Sequence, residues 1–222
     1  MVKKLSKTGP EPSSSASSSS KQASIANFPS TLVDSLSLPK LVVFDLDYTL
    51  WPFWVDTHVT PPVKASTSHD HVKDRIGESY AFYSEVPSIL YALRERGIPV
   101  GVASRTSSPE LAREVLRLLH IPDGDAKKKK AVEFFDHMEI YPGSKITHFN
   151  KLQRATGLRY EEMLFFDDEA RNKNVETLGV HMHLVRDGAN RAEFDNGMRA
   201  WRARHGHPTK RDPIEKLEGR KM

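Results

Sequence analysis

Residues 41–50, Leu-Val-Val-Phe-Asp-Leu-Asp-Tyr-Thr-Leu, constrain this chain more than any other stretch. The run Leu41 to Phe44 is apolar, β-branched and aromatic, the pattern of a strand buried on both faces of a parallel sheet. Asp45 and Asp47 follow at once, and Thr49 two residues later. Open α/β sheets bind ligands outside the carboxyl ends of their strands, so carboxylates at such an end stand where ligands bind. Two carboxylates this close resist ionising together unless a cation lies between them or they share a proton. A solvated turn is the competing reading of an isolated Asp-x-Asp, and the rest of the chain decides between them.

Other strand ends repeat the pattern. A helix is predicted from Pro87 to Arg96, closed by Gly97, and a second strand over Ile98 to Ala103, ending at Ser104-Arg105-Thr106. Ser107 or Ser108 then caps a helix with Leu111, Val115, Leu118 and Leu119 on one face. Ser104 therefore precedes a helix N-terminus, where phosphate oxygens are welcome. A short strand falls within Phe134 to Tyr141, and Lys145 opens the next helix, which runs to Thr156 with Gly157 behind it. A lysine there opposes the helix dipole, and a bound anion would compensate. Met163 to Phe166 reads as another apolar strand, ending in Asp167-Asp168-Glu169, with a helix following Asn172. Strand alternation sends Asp167 and Asp168 to opposite sides, so only one of them is predicted to face Asp45. Val180 to Val185 reads as the last strand, with His181 and His183 on one face in structural or partly exposed roles, and a final helix covers Ala189 to Ala203.

Between these elements, Trp51-Pro52-Phe53-Trp54 reads as a core flap or as an apolar wall able to stack on a substrate ring. His69-Asp70-His71 lies in a polar stretch and reads as solvated loop rather than metal site. Lys127 to Lys130 reads as an exposed loop. Ser13 to Ser20 holds seven serines and one alanine, too little apolar surface to fold, so residues 1–38 are predicted to be a disordered tail. Residues 39–203 form the expected domain, and 204–222 a basic C-terminal tail. The chain has no cysteine, which excludes disulfides, thiolate metal sites and a thiol nucleophile. No apolar run reaches the length of a membrane helix, no secretory signal is evident, and the net charge of +4 does not demand a nucleic-acid partner.

Alternating strands and helices predict an α/β fold with a doubly wound, mostly parallel sheet. Asp45/Asp47, Ser104, Lys145 and Asp167/Asp168 together resemble, in order, the four motifs of the haloacid dehalogenase superfamily. Phe44 to Trp54, Ala103 to Ser107, Tyr141 to Phe149 and Phe165 to Glu169 look most like the magnesium-dependent phosphatase 1 family, over roughly residues 39–203. The resemblance implies a Rossmann-like haloacid dehalogenase fold and a Mg²⁺-dependent phosphoric monoester hydrolase working through an aspartyl phosphate, with phosphotyrosine or sugar phosphates as substrates. It implies Asp45 as nucleophile and Asp47 as general acid and then base. Mg²⁺ would be held by Asp45, the backbone carbonyl of Asp47 and Asp168, with Thr49 and Asp167 supporting. Leu46, Asp47, Ser104, Arg105 and Lys145 would bind the phosphoryl group, Leu46 and Arg105 through their backbone. About 35 residues separate Leu50 from Pro87, too few for a helical cap domain, so the site is expected to be capless or minimally capped. The expected partner is a phosphorylated small molecule or phosphoprotein, without membrane or nucleic acid, and the expected state is a cytoplasmic or nuclear monomer. A phosphoserine phosphatase of the RNA polymerase tail type, and a catalytically degenerate binding module, are the competing readings.

Overall fold

The computed structural model describes residues 28–123 and 127–209. Strand β1 (Leu41–Phe44) leads into a short helix α1 (Val55–His58) and three two-residue strands, β2 (Lys64–Ala65), β3 (Val72–Lys73) and β4 (Ser79–Tyr80). Then come α2 (Val86–Glu95), β5 (Val100–Ser104), α3 (Pro109–Leu118), β6 (His120–Pro122), β7 (Lys128–Lys130) and β8 (His137–Ile140). The chain closes with α4 (Lys145–Thr156), β9 (Met163–Asp167), β10 (His181–Leu184) and α5 (Arg191–Arg204).

Five strands form the main sheet in the order β10-β9-β1-β5-β8, with every neighbouring pair parallel. Parallel neighbours need crossovers, and these put helices on both faces. All residues of β1, β5 and β9 are buried, which explains their near-continuous apolar sequences. Alternation sends Val42, Phe44, Leu164 and Phe166 to one face, in a core with Leu93 of α2, Val115 of α3 and Phe194 of α5. Leu41, Val43 and Phe165 face the other way, against Phe149 and Leu152 of α4. Helix α5 comes so close to β9 that a Cβ on Gly197 would meet the Phe166 ring at 2.5 Å. The chain leaves β1 for β5 and β8 on one side and returns to β9 and β10 on the other. That reversal opens a crevice at the carboxyl end of β1. Among the described residues no helix is long and apolar enough to cross a membrane.

Several sequence expectations need correction. Ser13 to Ser20 and residues 210–222 lie outside the described residues, but residues 28–38, assigned to the tail, are folded, with Leu32 fully buried. Their anchors are polar and distant in sequence. The Asp195 carboxylate accepts from the backbone N–H and hydroxyl of both Ser30 and Thr31, at 2.6–3.0 Å. Buried Arg202 donates to Asp34 and to the carbonyls of Thr31 and Ser37. Asp195→Ala is expected to cost about 2 kcal/mol, measured as a lower denaturant midpoint, because it leaves buried donors unmet. Those hydrogen bonds hold the Asp195 pKa below its ordinary value despite burial, so this contribution is complete above about pH 4 and lost at lower pH.

The polar stretch around His69-Asp70-His71 is not all loop, since β2 and β3 flank it and form a small antiparallel sheet with β4. Lys128–Lys130 is likewise a strand, paired with His120–Pro122, rather than a loop; a run of like charges carries no period to announce it. Ser108 takes the N-cap position of α3 without a side-chain bond, and Ser107 bonds Asp56 instead. The helix expected after Asn172 is a 3₁₀ segment, Ala170–Leu178.

His183 pairs with Glu193 at 2.5 Å, whereas both ring nitrogens of His181 are buried without a hydrogen-bond partner. Burial pushes the His181 pKa down to about 4, helped by Arg204, His183 and His205 and opposed by Glu176. The unfolded chain takes up this proton first as pH falls below about 6.5, so stability drops between there and about pH 4. Urea titrations should show the wild type losing roughly 2–3 kcal/mol more over this window than His181→Gln.

Candidate active site

The backbone N–H of Asp45 bonds the carbonyl of Phe166, so β1 ends in register with β9. The chain then turns sharply, and the Leu46 carbonyl accepts from Thr49, Leu50 and Trp51. Tyr48 takes a left-handed conformation (φ 52°) inside this turn, costly for a residue with a Cβ and found where a loop is fixed for function. The turn brings Trp51 back to Asp47, and the indole N–H donates to Asp47 Oδ1 at 2.7 Å, joined by the Val55 N–H at 3.2 Å. Both bonds use Oδ1, leaving Oδ2 to carry a proton. Burial raises the Asp47 pKa to about 6 against these two donors. Trp51 thus belongs to the core, fully buried and stacked on Phe53, while Trp54 is 49% exposed and lines the site. Thr49 is buried with an unpartnered hydroxyl, and its carbonyl accepts from Ala189.

Lys145 is the first residue of α4, 1% exposed, and reaches under the end of β1. Its ammonium contacts Asp45 Oδ1 at 2.8 Å and Asp167 Oδ2 at 2.9 Å, and it donates to the Ala103 carbonyl. Carboxylates therefore supply the compensation for a lysine at a helix N-terminus, where a bound anion was expected. They raise the lysine pKa against burial. Burial likewise pushes Asp45 up, opposed by Lys145 and reinforced by Asp167.

Asp167 and Asp168 do not diverge as strand alternation predicts. One oxygen from each lies, with one from Asp45, in a cluster no wider than 4.8 Å. Regular pairing ends at Asp167, which partners Leu184, so Asp168 has left the pleat. Asp167 accepts from Asn172 on both oxygens, from the Glu169 N–H and from Lys145, which occupies most of its lone pairs. Asp168 is free of such a set and has its pKa raised to about 6, chiefly by burial and then by Asp167. Three carboxylates against one lysine leave negative charge that a hard cation would offset.

These groups open into a cavity of about 150 Å³ lined by Asp45, Asp47, Trp54, Ser104, Arg105 and Asp168, with Asp56, Thr106, Glu169 and Arg171 at its wall. Ser104 is buried at the end of β5, and its oxygen accepts weakly from Thr106 (3.4 Å). His148 fixes this edge, with Nε2 3.0 Å from the carbonyls of both Ser104 and Tyr141. Sequence reasoning gave no role to His148 or Asn172; His148 follows Lys145 by three residues, on the same helix face, the one signal available. His69 stacks on His120 at 4.1 Å, away from this cluster.

Residues 37–204 match the family model described as Acid Phosphatase. The chain is 48% identical over 162 residues to Magnesium-dependent phosphatase 1 of Homo sapiens, covering 72% of this chain and 86% of that protein. It is 47% identical over 150 residues to a HAD-like hydrolase superfamily protein of Schizosaccharomyces pombe, covering 67% and 87%. Among solved structures, a HAD family enzyme of Bacteroides thetaiotaomicron aligns with a TM-score of 0.44 at 13% identity, covering 69% of this chain and 97% of that one.

Proposed function

The chain belongs to the acid phosphatase family, as a Mg²⁺-dependent phosphatase of the haloacid dehalogenase superfamily, and from that premise we propose that it hydrolyses phosphate monoesters through an aspartyl phosphate on Asp45. The observation that carries this reading is the convergence of Asp45, Asp47 and Asp168 on one cavity, with Lys145 bonded to Asp45 beneath it.

A carboxylate oxygen of Asp45 attacks phosphorus as the ester P–O bond breaks. The departing oxygen takes the proton from Asp47, whose raised pKa keeps that proton available near neutral pH. Asp47, now ionised, takes a proton from water, and the water oxygen attacks the phosphorus of the aspartyl phosphate. Inorganic phosphate leaves and the Asp45 carboxylate is restored. Lys145, bonded to Asp45 from beneath, offsets the negative charge that gathers on the phosphoryl group. Ser104 and the backbone N–H groups of Leu46 and Arg105 are the further donors we assign to those oxygens, with Thr49 and Asp167 supporting the loop and the lysine. Asp45, Asp168 and the Asp47 carbonyl are the oxygens we assign to Mg²⁺, which supplies positive charge against the approaching anionic ester. The saturated hydrogen bonding of Asp167 favours Asp168 as the ligand.

The insert between β1 and α2 supplies only α1 and the small β2–β4 sheet, which favours an open site. Exposed Trp54, with Tyr48 edge-on at 5.1 Å and His58 stacked at 5.5 Å, supports aryl as well as sugar leaving groups. Phosphate release should be measured on phosphotyrosine, phosphoserine and sugar phosphates, with Mg²⁺ and with chelator. Turnover of phosphotyrosine and sugar phosphates that chelator removes is the expected result. Equal inactivity toward all of them, or indifference to chelator, contradicts the reading. Selective turnover of phosphoserine would contradict the substrate assignment alone.

A further inference from the structure

We propose that the side chains of Arg171 and Arg105 form a second-anion subsite on the rim of this cavity, so that the preferred esters carry another carboxylate or phosphate close to the one hydrolysed. The inference rests on the phosphatase reading above and extends it to substrate class.

Both arginines line the cavity that holds Asp45, Asp47 and Asp168. Arg171 grips Glu169 as a fork, Nε at 2.8 Å from one carboxylate oxygen and Nη2 at 2.5 Å from the other. Arg105 Nη1 lies 3.2 Å from Asn172 Oδ1 and 3.9 Å from the same Glu169 oxygen that Arg171 Nε bonds. Two guanidiniums thus share one carboxylate, and Asp167 and Asp168 also act on Arg171 through their charge. Each arginine has donors to spare, because a guanidinium carries five N–H groups. The Arg171 side chain remains 65% exposed and that of Arg105 35%.

Asp56, also at the wall, is engaged by the N–H and hydroxyl of Ser107. Asn172 bonds both Arg105 and Asp167, so Arg105 is held from the same residue that orients the buried aspartate. Fixed in this way, the guanidiniums lose little rotamer freedom on meeting an anion, and their planar forks suit carboxylate or phosphate. An ordinary exposed ion pair between Arg171 and Glu169 would contribute little and would not change substrate preference.

The test compares kcat/KM within matched pairs, using the full chain with Mg²⁺. One pair is sorbitol 6-phosphate and 6-phosphogluconate; the other is a phosphotyrosine peptide flanked by glutamine or by glutamate. The wild type should favour the anionic member of at least one pair by about tenfold, mainly through KM, and less so as salt rises. Arg171→Gln should bring the ratio toward one, and Arg171→Lys should restore part of it. The pair that shows the preference identifies the source of the second anion. The ratio is internal to each variant, so a loss of folded protein does not mimic the effect. Arg105→Gln provides an independent variant. A wild-type ratio near one for both pairs overturns the subsite while leaving the phosphatase intact, as does a ratio unchanged by both Arg171→Gln and Arg105→Gln. Absence of any Mg²⁺-dependent hydrolysis overturns the phosphatase reading and this inference with it.

Discussion

Asp45→Asn is expected to reduce Mg²⁺-dependent phosphate release by at least about a thousandfold while leaving the protein folded. The amide cannot serve as the anionic nucleophile, and no other carboxylate in the cluster stands in the same place. Asp47 is tied to Trp51 and Val55, and Asp167 to Asn172, Glu169 and Lys145. Stability should change little, because burial already disfavours the ionised form of Asp45. Lys145 keeps Asp167 as a partner in the variant. Initial rates at saturating substrate, together with a thermal melt, separate loss of chemistry from loss of fold. A residual rate within tenfold of wild type would move the nucleophile elsewhere.

Lys145→Met acts on both fold and chemistry. The ammonium is 1% exposed and is the cation between Asp45 and Asp167, which are themselves 7% and 0% exposed. Methionine fills similar space but leaves the two carboxylates facing each other. Breaking a buried pair in this way costs about 3–5 kcal/mol at neutral pH. The loss should shrink as pH falls, where Asp45, its pKa already pushed up by burial, takes up a proton, and on adding Mg²⁺, which would restore a cation near the cluster. Activity should fall at least about a hundredfold even in the folded fraction, because the positive charge bonded to Asp45 is gone. Urea midpoints across pH, with and without Mg²⁺, check the stability claim. A midpoint unchanged at neutral pH would mean that the lysine is not what holds the two aspartates together.

Much of this site was legible before the fold was known. The run Leu41 to Phe44 is apolar because β1 is the central strand, covered on both faces, and Asp45 follows where that cover ends. Ser104 and Lys145 were legible for a related reason, since each stands where the chain passes into a helix, α3 after Ser104 and α4 at Lys145. Three features were not legible. The clustering of Asp167 with Asp168 depends on where β9 stops pairing with β10, and alternation describes only residues still in the pleat. The folding of residues 28–38 depends on Asp195 and Arg202, more than 160 residues away, and local composition carries no trace of such partners. The split between Trp51 in the core and Trp54 at the cavity follows from the left-handed turn at Tyr48, which no periodicity encodes.

The most direct measurement is chemical trapping of the intermediate. The enzyme is mixed with excess substrate and Mg²⁺ and quenched within the first turnovers. Borohydride then reduces any phosphorylated aspartate to homoserine, and peptide mass spectrometry locates it. An aspartyl phosphate formed on Asp45 predicts homoserine at position 45, dependent on substrate and Mg²⁺ and absent from Asp45→Asn. Homoserine at position 47, 167 or 168 instead, or none during active turnover, would contradict it.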